Sequence, residues 1–95
     1  MNTKEFLQAI ANANGPSGQE AEASAVVASG FSPWVDSVET DRMGNVYAVK
    51  EPTEISENPP IILIDAHVDE IALMVKDITD EGYLYIHQAG GFDSR

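Results

Sequence analysis

Apolar residues at the start of the chain recur at helical spacing. Phe6, Leu7 and Ile10 share one face, which predicts a helix from Thr3 to about Ala13. Asn2 or Thr3 can cap its start. The stretch Asn14-Gly15-Pro16-Ser17-Gly18 is built of turn residues and breaks the pattern. A second helix is predicted after it. Ser17 and Glu20 have capping-box spacing, Ala21, Ala25, Val26 and Val27 supply apolar surface, and Gly30 with Pro33 just beyond marks its end.

The period then shortens. Val38–Asp41 and Val46–Val49 read as strands around Arg42-Met43-Gly44-Asn45, where Gly44 and Asn45 tolerate positive φ, so a hairpin is predicted. Residues Glu51 to Pro60 form a polar, acidic loop. Ile61-Ile62-Leu63-Ile64 follows without alternation, which predicts a central strand buried on both faces. Ile71 to Val75 reads as extended, Asp80-Glu81-Gly82 as a turn and Tyr83 to Gln88 as a last strand. The fold class expected is therefore α/β, two N-terminal helices followed mostly by β structure.

Composition narrows the function. The 95 residues suit one small domain, and 43% hydrophobic content allows a core. Sixteen acidic residues against five basic ones give a formal charge of −11, which argues against nucleic acid or an anionic membrane as partner. Most of these carboxylates must face water, since burying them is costly. The absence of cysteine excludes disulfides and thiolate metal sites. Residues Met1 to Phe6 lack the basic, apolar character of a signal segment, and Ile61–Ile64 is too short to span a bilayer. A cytoplasmic protein is expected.

The candidate chemistry lies in Asp65-Ala66-His67-Val68-Asp69-Glu70, directly after the predicted buried strand. Ligands commonly bind beyond the C-terminal ends of such strands. If extended geometry continues, Asp65, His67 and Asp69 share a face, with neighbours about 6.6 Å apart. Asp69 can then reach the His67 ring, whereas Asp65 and Asp69 stand roughly 13 Å apart and cannot hold one ion without a bend. The economical reading is one metal ligand, His67, oriented by one carboxylate, Asp69. A histidine and an aspartate two apart also occur by chance, and a satisfied histidine at a strand end is the commoner case. Glu70 reads as a solvated carboxylate. His87 shares a strand face with Tyr83 and Tyr85 and reads as a surface residue. Ser17 is a helix cap, and Trp34, Tyr47 and Phe92 are expected to pack. No phosphate-cradling glycine motif and no nucleophile elbow is present.

Four blocks in order carry a family resemblance: Gly15-Pro16-Ser17-Gly18 with Glu20; Val38 through Asp41-Arg42-Met43-Gly44-Asn45-Val46; Ala66-His67-Val68-Asp69-Glu70-Ile71 with Leu73-Met74-Val75; and Gly82-Tyr83-Leu84 leading into Gly90-Gly91-Phe92-Asp93. Together they resemble the start of the tetrahedral aminopeptidases, which include glutamyl and deblocking aminopeptidases and members named cellulase or endoglucanase. The resemblance implies a zinc-exopeptidase domain with an inserted β-barrel domain. Residues 1–70 would be the first part of the former and 71–95 the truncated start of the latter. It implies two metal ions, zinc or cobalt, in the complete enzyme, which releases N-terminal residues from peptides, and it implies large self-associating oligomers. Carried over, His67 matches a metal ligand and Asp69 the carboxylate that orients it, a role counted as catalytic. Val68 stands where methionine is common, Ala72 where glycine is common, and Asp65 where a small residue is usual.

The family's other ligands and its general-base glutamate lie beyond the residues present. The expectation is a fragment of a dinuclear-metal aminopeptidase that is inactive alone and need not bind metal by itself. A truncated binding or assembly module is the alternative from another class. The carboxypeptidase-like amidohydrolases also place histidine and aspartate two apart after a strand. The Glu70-Ile71 continuation and the Gly-Gly-Phe-Asp ending favour the aminopeptidases.

Overall fold

The structure is a computed structural model that describes residues 1–54 and 56–93. Ile55, in the predicted acidic loop, and Ser94 and Arg95 at the end lie outside the described residues. Helix α1 spans Thr3–Asn12, and its cap is Asn2. Asn2 Oδ1 accepts from the Glu5 N–H at 2.9 Å, while Glu5 Oε2 accepts from the Asn2 N–H at 2.8 Å. This reciprocal capping box satisfies two N–H groups that the helix itself leaves open.

Helix α2 spans Ala21–Phe31 and departs from expectation at both ends. Ser17 does not cap it. The Gln19 N–H donates to the Pro16 carbonyl at 2.8 Å across a tight turn with Gly18 at φ +87°, so Ser17 is spent inside the turn. Glu20 Oε1 accepts from the Gly18 N–H at 2.6 Å instead of closing a capping box. Gly30 does not stop the helix either. The helix runs through it into a short 3-10 turn, Ser32–Trp34. A Cβ on Gly30 would overlap the edge of the Phe6 ring, so this glycine lets α1 and α2 approach. The Phe6 and Phe31 rings lie 6.0 Å apart beside it. Trp34, expected to pack, is 72% exposed.

Strands β1 (Ser37–Thr40) and β2 (Val46–Val49) form the predicted hairpin, antiparallel with Val38 opposite Ala48. Its turn is organised by Asp41, and Gly44 alone takes positive φ, at +90°. Ser24 Oγ donates to the Gly44 carbonyl at 3.2 Å, which ties α2 to the turn. A second hairpin joins β3 (Ala72–Ile78) to β4 (Leu84–Ala89), with a register shift between Val75 and Asp77. The sheets remain separate and two-stranded.

The clearest correction concerns Ile61–Ile64. It is not a strand, and its four side chains are 82% to 97% exposed. Its apolar composition suits a central strand, but no described segment pairs with it, and a strand exists only through its ladder. Core is correspondingly scarce. Among the described residues, the buried ones are Ala13, Gly15, Ala23 and Ser24. No helix among the described residues is long and apolar enough to cross a membrane.

Candidate metal centre

Asp65 to Glu70 runs irregularly between the exposed isoleucine segment and β3. It is held at its far end. The Glu70 N–H donates to the Gly15 carbonyl at 2.9 Å, and Pro16 and Glu70 form an isolated parallel bridge. This anchor half-buries Val68 and Asp69 and leaves His67 in solvent, with 86% of its side chain exposed.

His67 and Asp69 meet although the segment is not a regular strand. Asp69 Oδ1 stands 3.1 Å from His67 Nδ1, and the Asp69 main-chain oxygen stands 3.0 Å from the same nitrogen. Both neighbours are acceptors, so the proton belongs on Nδ1, which donates to the pair. In the neutral ring this leaves the Nε2 lone pair directed away from Asp69. A metal-ligating histidine is commonly prepared in this way, one nitrogen fixed by a carboxylate or carbonyl and the other offered to the ion.

The donor set fits part of a metal site. Imidazole nitrogen is a good ligand for zinc or cobalt. Among the described residues, no three His, Cys, Asp or Glu side chains gather closely enough to hold an ion. Asp65 is exposed and has no described role. Glu70 contributes its backbone to the anchor while its side chain faces solvent. His87 lies on β4 opposite Met74, exposed, as expected of a surface residue.

Two carboxylates elsewhere have depressed pKa values and serve the fold. The Asn45 side-chain amide holds Asp41 below the usual carboxylate range, helped by the Asn45 and Met43 N–H groups and the Tyr47 hydroxyl. The Glu51 N–H, and then Lys50, act likewise on Asp36.

What the sequence reading missed is the Gly15 carbonyl. The Gly15-Pro16-Ser17-Gly18 block was legible as a break between helices, but nothing local indicates that its backbone reaches a residue 55 positions later.

Comparison with known proteins gives the family of the chain. The sequence matches the family described as M42 glutamyl aminopeptidase over residues 44–95. A relative from Acetivibrio thermocellus, provisionally named an aminopeptidase, is 32% identical over 87 residues, covering 92% of this chain and 25% of its own length. A lysyl aminopeptidase of Pyrococcus furiosus is 38% identical over 56 residues, covering 59% of this chain and 15% of its own. Among solved structures, a TET aminopeptidase from the marine sediment archaeon Thaumarchaeota archaeon SCGC AB-539-E09 superposes with a TM-score of 0.78 at 33% identity. That match covers 96% of this chain and 25% of the other. The chain thus spans about a quarter or less of the length of these relatives.

Proposed function

Because this chain belongs to the M42 glutamyl aminopeptidase family, we propose that it supplies one metal ligand, His67, and its orienting carboxylate, Asp69, to a metal-dependent aminopeptidase. The observation that carries the reading is the double contact of His67 Nδ1 with Asp69, at 3.1 Å to the carboxylate and 3.0 Å to the main-chain oxygen. Two ions, zinc or cobalt, would serve the complete enzyme, and peptides would be the substrates from which it releases N-terminal residues. A metal ion bound there supplies Lewis acidity and an acidified water. This chain's residues do the positioning. Asp69 fixes the proton on Nδ1 and sets the ring plane.

Residues 1–70 are proposed as the first part of the metallopeptidase domain and 71–95 as the start of an inserted β-barrel domain. Activity is assigned to the longer assembly. A catalytic zinc takes three protein ligands plus water, and the described residues do not gather three candidate side chains.

The test is metal content and peptide hydrolysis in the intact gene product that carries this chain. His67→Ala is expected to lose bound metal and nearly all hydrolysis. Asp69→Asn is expected to weaken metal affinity by about 10- to 100-fold. Undiminished metal content in the His67→Ala protein would refute the assignment.

A second reading rests on the exposed Ile61–Ile64 segment and the open edges of the two small sheets. In it, the 95-residue polypeptide on its own acts by assembly, with itself or with a complementary segment.

A further inference from the structure

Among the described residues, the buried ones lie in neither sheet. The buried residues Ala13 and Gly15 come from the turn after α1, and Ala23 and Ser24 from the first turn of α2. All four are small, so backbone approaches backbone there. A Cβ on Gly15 would stand 3.1 Å from the Ala23 methyl carbon and 3.8 Å from the Val68 carbonyl oxygen. Gly15 is not among the glycines with positive φ. What its position demands is space, with no requirement for left-handed backbone.

That space brings its carbonyl to the Glu70 N–H. The partner group is significant, because the Glu70 N–H and the Asp69 C=O belong to one peptide unit. A peptide unit is planar and rigid, and in the trans form its N–H and C=O point in opposite directions. The N–H side of this plane is held by Gly15 at 2.9 Å, and the C=O side accepts from His67 Nδ1 at 3.0 Å. Hydrogen bonds in such a series polarise one another.

We propose that Gly15 is a positioning residue for His67, acting through the Asp69–Glu70 peptide plane. The proposal rests on the metal-ligand reading of His67 and goes beyond it. Asp69 orients the ring with its carboxylate, and Gly15 orients the ring by fixing the plane whose carbonyl shares the same proton. The Gly15-Pro16-Ser17-Gly18 block therefore belongs to the metal centre functionally, although it carries no ligand and stands roughly 50 residues away in sequence.

The test uses the intact gene product and zinc as the sole added ligand. Gly15→Ala places a methyl against Ala23 and should weaken zinc binding about tenfold, within the usual range of couplings between linked sites. Adding Ala23→Gly removes the opposing methyl and should restore most of the affinity. A Gly15→Ala protein that melts earlier yet binds zinc as tightly as the parent overturns the proposal, because Gly15 would then be only structural. If Gly15→Ala does not fold, metal-free hydrogen exchange decides. His67 is exposed, so His67→Ala leaves the fold intact, and it should speed exchange in residues 66–71 severalfold relative to the β1–β2 hairpin. Unchanged exchange there also overturns the proposal. The zinc affinity of His67→Ala separates the two ideas. If it equals the parent's, the ligand reading itself fails. If it falls while Gly15→Ala binds zinc like the parent, or while the exchange arm shows no change, only the positioning role fails.

Discussion

At the residue scale, Gly30 shows two effects opposed at one atom. Alanine is a better helix former than glycine by about 1 kcal/mol, so Gly30→Ala should stabilise α2 if propensity alone acted. A Cβ there would overlap the Phe6 ring. Forcing such a side chain aside costs roughly 1–3 kcal/mol. The clash outweighs the gain in propensity, so Gly30→Ala is expected to be destabilising in urea unfolding of the intact gene product. Phe6→Leu in the same background should recover part of the loss by removing the ring edge. A stabilised Gly30→Ala protein would show that the α1–α2 contact is looser than the structure indicates.

At the element scale, the β1–β2 hairpin depends on an ionised Asp41. Its carboxylate accepts from the Met43 N–H at 2.8 Å, the Asn45 N–H at 3.0 Å, the Asn45 side chain at 2.9 Å and the Tyr47 hydroxyl at 3.3 Å. These donors favour the charged form and lower the folded-state pKa, with the Asn45 side chain the largest contributor. The sign follows from linkage. A depressed folded pKa contributes stability above the unfolded value, about 3.9 for aspartate, and that contribution is lost as pH falls through the folded value. Asp36, held low by the Glu51 N–H and by Lys50 across the start of the same hairpin, adds in the same direction. The Tyr47 ring resonances should therefore be flat from neutral pH down to about 5 and shift below about 4. Asp41→Asn should loosen the turn at neutral pH and shrink the acid-limb shift. An identical acid limb in that variant would place the titration elsewhere.

At the scale of the whole molecule, the chain is extended. Its radius of gyration is 18.4 Å, against about 12–13 Å for a compact domain of this length. Its long dimension is 68 Å. Four consecutive aliphatic side chains at Ile61–Ile64 face water together, an arrangement that soluble proteins normally cover. The 95-residue polypeptide prepared alone is thus expected to self-associate. Ile62→Asp with Ile64→Asp should reduce its light scattering severalfold and leave the hairpin resonances in place. A parent polypeptide that sediments as a monomer at high concentration would remove the support for the assembly reading.

Much of this was determined by the sequence itself. The α1 cap, the two hairpins with their turns, and the His67–Asp69 contact each involve residues only a few positions apart. Periodicity, turn chemistry and chain reach suffice to specify such contacts. The role proposed for His67 rests on the same short reach, together with the ordered blocks that resemble the aminopeptidases. Tertiary structure alone decided the rest. Gly30 became a packing position because Phe6 arrives from another helix. Ser17 lost its capping role to a turn closed by Pro16 and Gln19. Ile61–Ile64 stayed unpaired because an apolar run becomes a strand only when neighbours complete its ladder. The Gly15 carbonyl reached Glu70 because two small residues, Gly15 and Ala23, let separate backbones close to contact distance, and no local pattern along the chain encodes where such distant segments meet.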